Sequence, residues 1–176
     1  VIAFIAIIIF LFDPIIFGAK LFGSPDSLSP RSVAMALNKA SEGIGGYPLW
    51  QPWVFSGMPT AESFSYLSKL YFPEYIFKFF SLSGATIQFI HLIFSGLGCM
   101  ILLRELLCSK TASFLGAIAY MTTPFMITMA VFGHGSQLMT AAYIPWALWL
   151  SIKSWEKPSL INTVAFPSFS VLTLYL

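Results

Sequence analysis

The sequence predicts an all-α integral membrane protein, a bundle of spanning helices with a large helical loop on one side. Three observations predict it. The 176 residues are 57% hydrophobic and only 9% charged, where a soluble domain carries about 25% charged residues. The mean hydropathy is +0.82. Apolar runs near the length of a bilayer span recur along the chain, and a long polar stretch holding most of the acids separates the first two. A length of 176 residues admits about five crossings at about 20 apolar residues each.

The first run is Val1 to Phe17, with Asp13-Pro14 near its end. It lacks a basic flank and a small-residue cleavage site, so it reads as the end of a span rather than as a signal peptide. Residues 18–82 form the polar loop, with Asp26, Arg31, Lys39, Glu42 and Glu62. Within it, Ser29-Pro30-Arg31 reads as a helix start, Ser29 as cap and Pro30 at the first position. That helix is expected to run to about Ser41 and stop at Gly43. Gly45-Gly46-Tyr47-Pro48 is a turn cluster. Leu67 to Leu82 is aromatic-rich, carries Lys69, Glu74 and Lys78, and reads as an interfacial segment. Residues 83–176 hold the remaining spans. These are expected at Thr86–Leu103, at Ala112–Phe132 with Pro124 inside, at Leu138–Ile152, and from Ser159 onward as a fifth span cut off by the end of the sequence.

Charge sets the orientation. Arg104 and Lys110 flank one short link, and Lys153 and Lys157 flank another. The Gly133-His134-Gly135 link has no Lys or Arg. The positive-inside rule places the two basic links in the cytoplasm, and residues 18–82 with His134 on the outer side.

The net charge of +2 is unclustered and excludes a nucleic-acid partner of the usual basic kind. Cys99 and Cys108 read as packing or lipid-facing thiols, since two cysteines build neither a disulfide framework nor a metal site. No P-loop, dinucleotide fingerprint, HExxH or nucleophile elbow occurs. Chemistry is therefore expected in the outer loop. Asp26, a few residues past the first span, is read either as a general base or cation ligand or as a turn residue. His134 is read either as a phosphate or proton partner or as a solvated turn residue. His91 is an intramembrane ionisable group, equally readable as a helix-to-helix hydrogen-bonding histidine. Arg31 and Lys39 could hold a lipid phosphate, while Lys69 and Lys78 suit headgroup anchoring.

The run Tyr47-Pro48-Leu49-Trp50-Gln51-Pro52-Trp53-Val54-Phe55-Ser56-Gly57-Met58-Pro59-Thr60 resembles the "PLWNP-x-x-F-x-GMP" stretch of bacterial YfhO-like membrane proteins. Gly23-Ser24-Pro25-Asp26, the His91–Leu106 segment, and Gly133-His134 followed by Ala142-Tyr143-Ile144-Pro145-Trp146 agree in the same order. The resemblance implies a GT-C-like multi-span helical bundle, of which this chain is an N-terminal fragment, in the bacterial cytoplasmic (inner) membrane. It implies transfer of a sugar from a polyprenyl-phosphate carrier to a cell-envelope polymer, with lipid bilayer, lipid-linked donor and envelope acceptor as partners. Asp26 falls at the position of the acid taken as catalytic base. Arg31, Lys39, His134 and Glu62 are the accompanying substrate-binding candidates, and a divalent cation is the candidate cofactor. The family often has a basic residue three positions after the Gly-His histidine; here it is Gln137, which weakens phosphate binding at that link. The competing readings are a transporter or flippase for a lipid-linked substrate, and a non-catalytic assembly subunit. Trp50, Trp53 and Phe55 are expected to pack inward against the helices, with Gly57 and Pro59 fixing a turn.

Overall fold

The structure, a computed structural model, describes residues 1–18, 20, 22, 23, 25–60, 73–156 and 159, with residues 25–31 and 74 described in their backbone. It is mostly helical. The elements are α1 (Ile2–Ile16), α2 (Pro25–Ile44), β1 (Trp50–Gln51), β2 (Met58–Pro59), α3 (Pro73–Phe79), α4 (Gly84–Glu105), α5 (Lys110–Met121), α6 (Pro124–Val131) and α7 (Gly135–Glu156). Of these, α4 and the α5–α6 pair (Lys110–Val131) are long and apolar enough to cross a membrane. Helix α1 is apolar but only 15 residues long. The fifth expected span and Leu67–Phe72 lie outside the described residues.

Hydroxyl caps start the bundle helices. Ser83 accepts the Thr86 N–H at 3.1 Å and starts α4. Ser109 accepts the Ala112 N–H at 3.2 Å and starts α5. Each satisfies a backbone donor that a helix start leaves without an internal partner. At its far end α4 stops with Leu107 in the left-handed region, φ 61°, and the Cys108 N–H reaches back to the Leu103 carbonyl at 3.1 Å. Arg104 Nη1 donates to the Cys108 carbonyl at 3.0 Å, tying the last turn of α4 to the link that follows it.

Pro124 does not sit inside a continuous span. The helix stops at Met121, Thr122 has φ −108° and ψ 14°, and α6 begins afresh with Thr123 as cap and Pro124 at its first position. Proline has no N–H to offer the preceding turn, and there none is needed. Pro145, by contrast, lies within α7. It deprives the Ala141 carbonyl of its helical donor, and Tyr120 of α5 supplies one from its hydroxyl at 2.8 Å. A neighbouring helix satisfying a carbonyl freed by proline is how membrane helices accommodate that residue.

Helices α4 and α7 form the main seam and run parallel. Phe94 and Trp146 stack at 4.8 Å, and the Trp146 indole N–H donates to the Phe94 carbonyl at 2.9 Å. Gly98 lies directly beneath that indole, where a Cβ would collide with the ring. Farther along, Lys153 Nζ meets Glu105 Oε1 at 2.6 Å. Helix α5 returns along α4, with Cys99 Sγ 3.7 Å from the Gly116 carbonyl, so Cys99 is a packing thiol. Helix α1 lays Phe4, Ile8 and Phe12, one face at four-residue spacing, into the core. Its other faces expose Ile5, Ile9 and Phe10. Leu115 of α5 and Leu148 of α7 are likewise more than half exposed. A helix that is apolar all round belongs in a protein core or in lipid.

Two local expectations are corrected. Helix α2 starts at Pro25, not Pro30, so Asp26 is the second residue of a helix and not part of a loop turn. The run that begins at Trp50 is a small β-ribbon, Trp50 opposite Pro59 and Gln51 opposite Met58, added to an otherwise helical molecule.

Candidate functional site

Side chains of differing chemistry gather at one end of the bundle. Helix α1 brings Phe12 onto Phe89, ring centroids 4.9 Å apart, and Phe22 packs edge-on against Phe12 at 5.9 Å. Helix α7 starts there too: a Cβ at Gly135 would lie 3.2 Å from the Gln88 amide nitrogen. The His134 link is therefore beside the start of α4, at the end where residues 18–82 leave and rejoin the bundle. The links at Arg104–Lys110 and Lys153 are at the opposite end.

Gln88, His91 and Ser95 are spaced by three and four residues, which puts them on one stripe of α4. The Gln88 carbonyl oxygen is fully buried and has no hydrogen-bond partner among the described residues. His91 is 2% exposed. Its Nδ1 donates to the Ile87 carbonyl at 2.7 Å, and its ring is flanked edge-on by Phe77 of α3 at 5.8 Å and Tyr143 of α7 at 6.0 Å. Ser95 is fully buried and donates to the Leu92 carbonyl at 2.7 Å. Above this stripe the first N–H groups of the α7 helix carry its partial positive charge. Such an end takes an anion or a polar headgroup, and the buried Gln88 oxygen takes a donor.

The residues expected from the sequence divide. His134 is half-buried and immediately precedes α7, within this end. Phe22 sits on Phe12 and Phe89, and four residues of chain reach at most about 14 Å, which bounds the distance from Phe22 to Asp26. Lys39 is elsewhere: thirteen residues along α2 separate it from Asp26 by about 20 Å at 1.5 Å per residue. Asp26 and Arg31, five residues apart, are about 140° apart around the helix and not on one face. Asp26, Arg31 and Lys39 therefore do not form the single acid–base cluster their nearness in sequence suggests. Lys39 lines, with Met35, Ala36, Asn38 and Glu42, a separate cleft on α2. Glu62 lies outside the described residues. Among the described residues no group of three or more His, Cys, Asp or Glu could hold a metal ion.

Gln88, Tyr143 and Phe77 were not singled out from the sequence. The stripe of Gln88, His91 and Ser95 is visible there as helical spacing. Its partners on α3 and α7 are not, because they are as much as 52 residues away.

No family model matches this chain, and neither a curated protein nor a solved structure is similar to it.

Proposed function

We propose that this chain belongs to a multi-pass membrane glycosyltransferase-like protein of the bacterial cytoplasmic membrane. It would transfer a sugar from a polyprenyl-phosphate carrier to an envelope acceptor on the outer face. The observation that supports the reading is the shared end: the His134 link, the α7 N-terminus and the buried Gln88 oxygen lie where the polar loop joins the bundle, and the chain from Phe22, packed on Phe12 there, leads within four residues to Asp26. That end has an acid for the acceptor hydroxyl and donors for a leaving phosphate. The run Pro48–Pro59 and its companion stretches supply the family resemblance. Asp26 serves as base, His134 and Arg31 assist, Lys39 has a role only toward more distant parts of donor or acceptor, and Glu62 is the rival acid. Asp26→Asn in the full-length protein should lower transfer from a polyprenyl-phosphate sugar by roughly 10²-fold or more with membrane insertion unchanged. Near-normal transfer by Asp26→Asn together with loss in Glu62→Gln would move the base to Glu62.

A second reading has its own support. The stripe Gln88–His91–Ser95 runs inward along a membrane-length helix, the neighbouring α5–α6 pair is interrupted at Thr122–Thr123, and α7 carries Pro145 within it. Polar residues and broken helices are features of lipid-substrate transport. His91→Phe should spare transfer if the outer end does the chemistry, and should abolish movement of a lipid-linked substrate across vesicles if the stripe is its path.

A further inference from the structure

The ribbon that carries the Trp-rich run is built to be rigid and to show its apolar side chains outward. Gly57 N–H bonds the Val54 carbonyl at 2.9 Å and Thr60 N–H bonds the Leu49 carbonyl at 3.0 Å. Thr60 Oγ1 donates to the Pro48 carbonyl at 2.7 Å. The tip turns through Phe55, Ser56 and Gly57, all with positive φ. Gly57 must be glycine, because a Cβ there would stand 2.6 Å from the Trp50 ring. Inside, Gln51 and Thr60 are buried. Outside, Leu49 is 74% exposed, Trp50 55%, Trp53 56% and Phe55 89%. The expectation that Trp50, Trp53 and Phe55 pack inward is thus overturned: Gln51 and Thr60 are enclosed, while Leu49, Trp50, Trp53 and Phe55 face out.

We propose that this face, Leu49, Trp50, Trp53 and Phe55, is a membrane-docking wedge that seats in the headgroup region of the outer leaflet. The proposal rests on the membrane reading above. Three features select lipid as the occupant. No charged residue occurs between Glu42 and Glu62, 19 residues in all, so nothing on this stretch resists transfer into the interface. Tryptophan is the side chain most at home there, its ring apolar and its N–H still hydrated. The segment that carries the ribbon leaves and rejoins the bundle at one end, through Phe22 on Phe89 and through the Ser83 cap, so it is tethered beside the surface it would enter. Helix α3, with Tyr75 and Phe79 exposed, offers the same kind of side chain on the same loop.

The test uses the whole chain in phospholipid nanodiscs, with Cys99 and Cys108 replaced by serine and one spin label at a time. Labels go on Phe55→Cys and Trp53→Cys, with Leu115→Cys and Glu42→Cys as references. Accessibility is read from oxygen, which concentrates in lipid, and from a water-soluble nickel complex. The wedge predicts that labels at 55 and 53 favour oxygen over nickel, as the label at 115 does, while the label at 42 favours nickel. Labels at 55 and 53 favouring nickel, with 115 still favouring oxygen, would overturn the wedge and leave the membrane reading intact. Access to neither reagent would mean a protein partner covers the face, and would also overturn it. Nickel access at 115 would instead remove the membrane reading itself.

Discussion

The two ends of the bundle are closed by different chemistry. At the end of Arg104 and Lys153 the charged groups are matched, although the buried Ser113 hydroxyl, one turn into α5, has no hydrogen-bond partner among the described residues. Glu105 accepts from Lys153 at 2.6 Å through one oxygen and from the Trp149 indole at 3.2 Å through the other. Lys153 also lies 3.7 Å from Glu156, and Arg104 holds the Cys108 carbonyl. At the end of His134 and Gln88 a buried carbonyl oxygen has no partner among the described residues, a helix presents its N-terminus, and glycine replaces a side chain at the closest approach. Matched charged groups contribute stability, whereas a buried polar atom left unmatched forgoes some of it. Such a buried group calls for an explanation, a catalytic role or an ordered water among them. On the proposed reading, the His134 end is the working end and the Glu105 end, held by its ion pairs, is the clamp.

Substitutions can break or sharpen that contrast. The largest effect is expected at the seam that joins the two ends. Gly98→Leu drives a side chain into the Trp146 indole and should destabilise by about 1–3 kcal/mol, read as a fall in folded yield and in the unfolding midpoint in detergent.

The clamp comes next. Glu105→Gln should lower the midpoint by a few degrees. The hydrogen bond from Lys153 to Glu105 is the main cause of a raised Lys153 pKa. A raised lysine value means that the pair stabilises fully below the ordinary lysine range, roughly pH 10.4, and loses that contribution as pH rises through the raised value. The midpoint difference between wild type and Glu105→Gln should hold from neutral pH to about pH 9 and vanish in stronger alkali. A difference that grows with pH would contradict the clamp.

Tyr120→Phe should cost about 1 kcal/mol, the worth of the hydrogen bond to Ala141. In a Pro145→Ala background the restored backbone N–H takes over that carbonyl, and the same substitution should cost little. Equal costs in both backgrounds would show that the phenol is not compensating for the proline. The smallest effect is expected at the working end. Gln88→Leu removes no hydrogen bond of the described structure and should leave the midpoint within about 0.5 kcal/mol of wild type, while lowering any activity of that end. A large destabilisation would make Gln88 structural and erase the contrast between the ends.

The start of α2 shows how far local signals reach. The sequence holds two Ser-Pro steps, Ser24-Pro25 and Ser29-Pro30, each a valid helix start. The helix begins at the earlier one and tolerates Pro30, which brings no N–H to the Asp26 carbonyl. Local chemistry offered both positions and did not choose between them. The choice moved Asp26 from a loop into a helix and separated it from Lys39.

Composition and local chemistry by themselves determined the helical character, two apolar helices of membrane length, and the starts of α4 and α5. A cap needs only a hydroxyl within three residues of the N–H it accepts, and span length follows from counting apolar residues. The stripe of Gln88, His91 and Ser95 stands at helical spacing in the sequence, but only His91 announces itself there, as an ionisable group inside a span. Only the tertiary structure decided that α4 and α7 run parallel, that Tyr120 answers Pro145, that His91 lies between Phe77 and Tyr143, and that Gln88 meets the start of α7. The same holds for the outward face of Trp50, Trp53 and Phe55, which a rule sending large apolar residues inward assigns to the wrong side when lipid is available as solvent. These contacts join residues tens of positions apart. Which carbonyl is short of a donor, and which ring can reach it, is settled only when the helices are laid against one another.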